Sequence, residues 1–305
     1  MLAAAPLLAP SLSGRALAGE WSIAKSPAVK FPIAPRERIA VASYPFREFI
    51  AGPEHKPANP RLELKDFAAH VFERFGVNRI EPWSAHFPST DSAYLEQFRI
   101  CLERAHATLA NIAADGEHSP YAADPQERER AISFSKKWIE VATIIGSPSI
   151  RTSIPQANDA KPQIGQLSAT LQQVAEYRAA KNIVVHLEND NPVSEDPFFL
   201  AQVIDKVNSP WLRALPDFGN TLNSHDEAYA CGAIDAMFKH AYGICHVKNG
   251  EVNEQGKATK VDLARTFQIL RHHDFRGYCS IEYDAPGDPY KATATLIAET
   301  ESYLT

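Results

Sequence analysis

Four short apolar runs in the second half of the chain each end on a side chain that can bind a metal: His186-Leu187-Glu188, Leu215-Pro216-Asp217, Ile244-Cys245-His246 and Ser280-Ile281-Glu282. The intervals between the terminal residues are 29 (217 − 188), 29 (246 − 217) and 36 (282 − 246). One strand plus one helix takes ~31 residues when about 250 residues make eight such units. The spacing thus restricts the chain to four successive parallel strands, separated by helices, that deliver one ligand apiece to the same rim.

Side-chain parity sharpens the reading. Residues alternate faces along a strand, so Val184, His186 and Glu188 share one face, as do Ile244, His246 and Lys248, and as do Ser280 and Glu282. Their neighbours Val185, Leu187, Cys245, Val247, Cys279, Ile281 and Tyr283 face the other way. Polar groups gather inward near the C-terminal strand ends, where a (β/α)8 barrel keeps its chemistry. Three carboxylates and an imidazole at one mouth make a site for one divalent ion. Such a set suits Mn²⁺, Mg²⁺ or Co²⁺ at least as well as Zn²⁺.

A length of 305 residues and 45% hydrophobic content suit an α/β protein built as one large (β/α)8 TIM-barrel domain, expected over 38–305. The net charge of −6 argues against nucleic acid as a partner. No run of about eighteen apolar residues is present to span a membrane. Leu2 to Pro10 and Ala16-Leu17-Ala18 resemble the apolar core and cleavage site of an export leader over 1–18, although the basic start is missing. A functional leader implies a periplasmic or exported protein, and otherwise a cytoplasmic one. Residues 19–37, with Pro27, Pro32 and Pro35, read as a linker. None of residues 1–37 belongs to a βα unit, so the barrel is expected to fold without them. The four cysteines show no metal-binding spacing, and Cys245 and Cys279 read as outward-facing small hydrophobes, with a disulfide between them left open.

Strands and helices alternate along the rest of the chain. Strands are expected at Ile39 to Tyr44, Val77 to Glu81, Leu109 to Ala114, Ser149 to Ile154 and Ile183 to Glu188, and at the three runs ending near Asp217, Lys248 and Tyr283. Phe67, Val71, Phe72 and Phe75 at helical spacing mark the first helix. Asp124-Pro125 and Asp196-Pro197 are helix starts, a cap followed by a proline whose missing amide costs nothing there.

The segments His186-Leu187-Glu188-Asn189, Pro216-Asp217-Phe218-Gly219-Asn220, His246-Val247-Lys248 and Gly277-Tyr278 with Ser280-Ile281-Glu282-Tyr283 resemble the xylose isomerase-like TIM-barrel superfamily of sugar isomerases and epimerases. The resemblance covers the whole barrel. It implies that Glu188, Asp217, His246 and Glu282 bind one divalent cation, and that Glu188 and Glu282 also transfer protons from opposite faces of the substrate. The ketose 3-epimerases of this group carry a histidine three positions after the metal aspartate and an arginine six after the metal histidine. Asn220 and Val252 stand at those positions here. Lys248 is then the candidate cationic partner.

Other residues have two readings each. His186 is either functional or a barrel-core histidine. Arg151 either clamps a substrate oxygen or pairs with an inward carboxylate. Trp83 and His86 either face a sugar ring or pack a loop. Three functions remain: a sugar, polyol or keto-sugar isomerase or epimerase, a lyase or dehydratase on the same site, and a carbohydrate-binding barrel without turnover. Each has a small carbohydrate as partner, and a homo-oligomer is compatible with all three.

Overall fold

The computed structural model describes residues 26–179, 181–252 and 256–305, so the expected leader and the first part of the linker lie outside the described residues. Strand β1 (Ile39–Ala42) leads through a long loop to α1 (Phe67–Phe75) and β2 (Arg79–Glu81), followed by α2 (Ser92–Arg104). The third strand is split into β3 (Thr108–Leu109) and β4 (Ala113–Ala114). Then come α3 (Pro125–Ile145), β5 (Ser149–Thr152), α4 (Ile164–Ala179), β6 (Val184–Glu188), α5 (Pro197–Val207), β7 (Leu212–Leu215) and α6 (Glu227–Phe238). Strand β8 (Ile244–Val247) is followed by a hairpin that the sequence did not announce, β9 (Gly250–Val252) with β10 (Ala258–Lys260). The chain ends with α7 (Leu263–His272), β11 (Tyr278–Ile281) and α8 (Pro289–Leu304).

Parallel pairing runs β3-β2-β1-β11-β8 on one side and β4-β5-β6-β7 on the other. Backbone hydrogen bonds join the two halves. The Ala113 amide donates to the Pro82 carbonyl at 3.0 Å at one seam. At the other, the His246 amide donates to Pro216 at 3.0 Å and the Phe218 amide to His246 at 3.2 Å. The result is a TIM barrel, with eight helices among the described residues, none long and apolar enough to cross a membrane.

Helix starts are written locally. Asp91, Asp124, Asp196, Asp226, Asp262 and Asp288 each accept a backbone amide of the first turn they precede. Such a cap is worth about 1 kcal/mol and fixes where each helix leaves its loop. Packing follows the parity. Val185, Leu187, Cys245, Val247, Cys279 and Ile281 belong to the main core under the helices, whereas Ala40, Ala110, Leu215, Ile244 and Tyr278 form a smaller cluster inside the ring. Cys245 and Cys279 are register partners, buried and free, with Sγ atoms 3.8 Å apart. Phe72 departs from the helical pattern, being 55% exposed on the solvent side of α1.

The described end of the linker packs against the underside of the barrel. Phe31 meets Tyr242 and Tyr278 edge-on, with ring centres 5.4 and 5.3 Å away, and the Tyr242 hydroxyl donates to the Pro27 carbonyl at 3.1 Å. Arg36 adds an ion pair to Glu301 at 3.0 Å. Removing this described stretch therefore removes contacts. Phe31→Ala is expected to cost about 1–2 kcal/mol, less than the ~3–5 of a fully buried phenylalanine because the side chain is only partly buried. An unchanged urea midpoint would show that the plug contributes nothing.

Candidate metal centre

Strands β6, β8 and β11 bring Glu188, His246 and Glu282 to the C-terminal rim, and the turn after β7 brings Asp217. One ligand atom from each of the four lies within 4.8 Å of the others, and all four side chains are buried. The two asparagines of the motifs set the turn. Asn189 accepts the Asp217 amide at 2.8 Å and donates to the Asp217 carbonyl at 3.0 Å and to Thr221 Oγ1 at 3.1 Å, which pins the backbone of the ligand. Asp217 Oδ1 in turn accepts the amides of Gly219 and Asn220 at 2.8 and 2.7 Å.

Asp217 also supplies the test of whether a cation fits. Its Oδ2 is buried and has no hydrogen-bond partner, although Lys248 Nζ at 3.5 Å and His246 Nδ1 at 3.8 Å share its neighbourhood. A buried carboxylate oxygen left without a partner is costly, and a carboxylate oxygen of Asp217 lies within 4.8 Å of the ligand atoms of the other three residues. His246 points the same way: Nδ1 is 2.7 Å from Glu188 Oε1 and 3.2 Å from Glu282 Oε2, while Nε2 faces Glu81 Oε2 at 3.0 Å. Three hard oxygen donors and one imidazole fit a single divalent ion.

The cluster is electrostatically loaded. Burial pushes Glu188 up, against His246 and Arg151. Burial pushes Asp217 up to about 6, with Lys248 opposing and the two glutamates adding to the rise. Glu282 moves the other way, because His246 and Lys248 outweigh its burial and hold it below the usual carboxylate range. Lys248 stays an ammonium: burial would lower it, but Asp217, Glu282 and Glu251 hold it well above the ordinary lysine value.

Of the weaker candidates, two join the cluster directly. Lys248 Nζ lies 3.5, 3.4 and 3.3 Å from Asp217, Glu282 and Glu251, and donates to Asn220 Oδ1 at 2.7 Å. Asn220 Nδ2 approaches Glu188 Oε1 at 3.5 Å. Arg151 is resolved toward the ion pair: its Nε is 2.9 Å from Glu188 Oε2 and its Nη1 pairs with Asp115, so it orients a ligand and is not a free clamp. Trp83 stands at the rim, half-buried, edge-on to Tyr44 and donating to Asp115 at 2.5 Å.

Two candidates are corrected. His186 shares the inward face of Glu188 but lies a layer deeper, beside Phe31 and Tyr242 at the underside. A side chain on Gly243 would come within 2.8 Å of its ring, so the glycine makes room for a packed histidine. His86 is fully buried, with Nδ1 2.9 Å from Ser43 Oγ, and burial lowers it to about 3. It supports Trp83, with ring centres 4.9 Å apart, and does not face the mouth. Sequence reasoning missed Glu81, which ends β2 on the inward face as the ligands end theirs; that strand-end position was the available signal.

The profile of the xylose isomerase-like TIM barrel family matches residues 69–300. The chain belongs to this family. Among solved structures, a xylose isomerase-like TIM barrel protein from Mycobacterium smegmatis in complex with magnesium is 15% identical with a TM-score of 0.66, covering 90% of this chain and 98% of its own. D-allulose 3-epimerase from Methylomonas sp. is 15% identical with a TM-score of 0.66, covering 90% and 100%. The E. coli 3-keto-D-glucoside 4-epimerase is 13% identical with a TM-score of 0.64, covering 87% and 99%. At these identities the likeness concerns the family fold. No curated protein matches the chain in sequence.

Proposed function

We propose that the protein is a metal-dependent isomerase or epimerase of a sugar, polyol or keto-sugar. The observation that carries this reading is the convergence of Glu188, Asp217, His246 and Glu282 within 4.8 Å at the barrel mouth. The epimerase activities named for the Methylomonas and E. coli neighbours support it. When bound, a divalent ion supplies Lewis acidity that loosens a proton on the carbon next to a substrate carbonyl. Glu188 and Glu282 stand three strand positions apart around the ring, and so can hold that proton at carboxylate oxygens on two sides of a substrate. Asn220 and Lys248 orient its hydroxyls, and Tyr44 with Trp83 offers an aromatic edge at the rim.

Charge matching refines the substrate to an uncharged sugar. The cations against the ligand cluster and its rim already face carboxylates: Arg151 meets Asp115 and Glu188, Lys248 meets three acids, and Arg47 meets Asp284 at 2.7 Å. A phosphate would have to displace one of these pairings.

The deciding experiment incubates the Mn²⁺-loaded protein with neutral keto-sugars, 3-keto-glycosides and phosphorylated ketoses in deuterated water. Deuterium at one carbon of a neutral substrate, with no group lost, is the expected result. Elimination of a leaving group would replace the isomerase reading with a lyase, and no exchange at all would leave a binding protein.

A further inference from the structure

A row of buried polar groups crosses the barrel interior and ends on the metal centre. Ser149 Oγ, at the start of β5, donates to Asn111 Oδ1 at 2.6 Å. Asn111 Nδ2 donates to Glu81 Oε1 at 2.7 Å. Glu81 Oε2 and Oε1 lie 3.0 and 3.1 Å from His246 Nε2. All four side chains are buried, so each bond is made in a medium where an unmade one would be expensive.

The order of donors fixes the protons. Asn111 spends its oxygen on the Ser149 hydroxyl, so it presents N–H to Glu81, and the Glu81 carboxylate can only accept. Its second donor is His246 Nε2–H. The same ring turns Nδ1 toward Glu188 and Glu282, 2.7 and 3.2 Å away, where a divalent ion would take the place of the Nδ1 proton.

The split third strand serves this row. Strict alternation would put Ala110 and Asn111 on opposite faces. Instead Ala110 belongs to the cluster inside the ring, Asn111 reaches Glu81 and Ser149 inside it as well, and Ile112 belongs to the outer core. Two successive inward residues are what a bulge produces, and bulges re-aim side chains beside functional sites.

We infer that Glu81 is a positioning residue for the metal centre: it holds the His246 ring in the orientation and tautomer that offer Nδ1 to a divalent ion, with Asn111 and Ser149 holding Glu81 in place. The inference rests on reading the four-residue cluster as a metal centre. Loss of a partner of this kind typically costs about 10–100-fold in metal affinity.

The test is Mn²⁺ affinity of the full chain by chelator competition, together with the visible absorption of the Co²⁺-loaded protein. Glu81→Gln is expected to bind Mn²⁺ about 10–100-fold more weakly and to shift the Co²⁺ bands, while the metal-free protein melts near the wild-type temperature. Asn111→Ala keeps the carboxylate but loses its support, so a smaller affinity loss with a band shift in the same direction is expected; it carries the test if Glu81→Gln does not fold. Wild-type Mn²⁺ affinity in Glu81→Gln, or weaker binding with unshifted Co²⁺ bands, overturns the positioning role and leaves the metal centre standing. A wild-type chain that binds no Mn²⁺ overturns both.

Discussion

Asp217→Ala and His246→Ala are each expected to abolish stoichiometric metal binding, with a loss beyond the ~10–100-fold that follows removal of an outer hydrogen-bond partner. Each removes one of the four candidate ligands, whose ligand atoms all lie within 4.8 Å of one another. Elemental analysis after exchange into Mn²⁺ should give about one ion per wild-type chain and none in the variants; a metal-free wild type would defeat the reading. The same measurement has a pH dependence. Binding requires the ionised carboxylate, and Asp217 is raised to about 6, so affinity should fall as the pH drops through that value. The sign for the metal-free fold is opposite. Between pH 6 and 4 its folded state keeps a proton on Asp217 that the unfolded chain, near the ordinary aspartate value of 3.8, has released, so this group weighs against folding at neutral pH and the handicap fades as the pH falls from 6 toward 4. Asp217→Ala removes this handicap and leaves Lys248 its pairs with Glu251 and Glu282, so that variant should still fold and separates lost ligation from lost structure. His246→Ala, by contrast, strips Glu81, Glu188 and Glu282 of their buried partner and also costs stability.

The four-residue cluster was legible in the sequence because a strand converts spacing into direction. Glu188, Asp217, His246 and Glu282 could be assigned to one rim from interval and parity alone, and the Asp-Pro pairs at 124–125 and 196–197 marked helix starts that the structure places at Pro125 and Pro197. Parity has no depth, however. It put His186 on the correct face and could not say that the residue sits a layer below Glu188, where Gly243 makes room for it. It also fails wherever a strand is irregular, and so Asn111 could not be seen as an inward residue. Glu81 was a different case, being visible as a strand end but unremarkable without its partner, since Asn111 and His246 reach it only through the closed ring. The plug formed by Phe31 was hidden for a similar reason: a proline-rich segment reads as a linker until the tyrosines it meets, far along the chain, are brought beneath it.

The four residues of the cluster are also unequal in ways that only contacts reveal. Arg151 pairs with Glu188, and Lys248 with both Asp217 and Glu282. Removing Glu188 takes one of its two ion-pair partners from the buried Arg151 guanidinium, and breaking a buried pair from one side is expensive. A Glu188 variant therefore mixes lost ligation, lost chemistry and lost stability, and it separates none of them.

Glu282→Gln isolates the chemistry better. The amide has the shape of the carboxylate and can present an oxygen to the ion, and the neighbouring Lys248 keeps Asp217 and Glu251 as partners at 3.5 and 3.3 Å. What the amide cannot do near neutral pH is accept a proton. The native Glu282 is ionised, since His246 and Lys248 overcome its burial, so it has room for a proton, and it stands three strand positions around the ring from Glu188. A group acting in general acid–base catalysis contributes about 10²–10⁴-fold, so turnover of a substrate found in the deuterium experiment should fall by that order while Mn²⁺ remains bound, if more weakly. Exchange of the substrate proton with solvent should fall in step, because the same oxygen carries the proton in both. If the variant keeps its metal and turns over at close to the wild-type rate, Glu282 serves as a ligand alone, and the proton must be moved from one side of the substrate only.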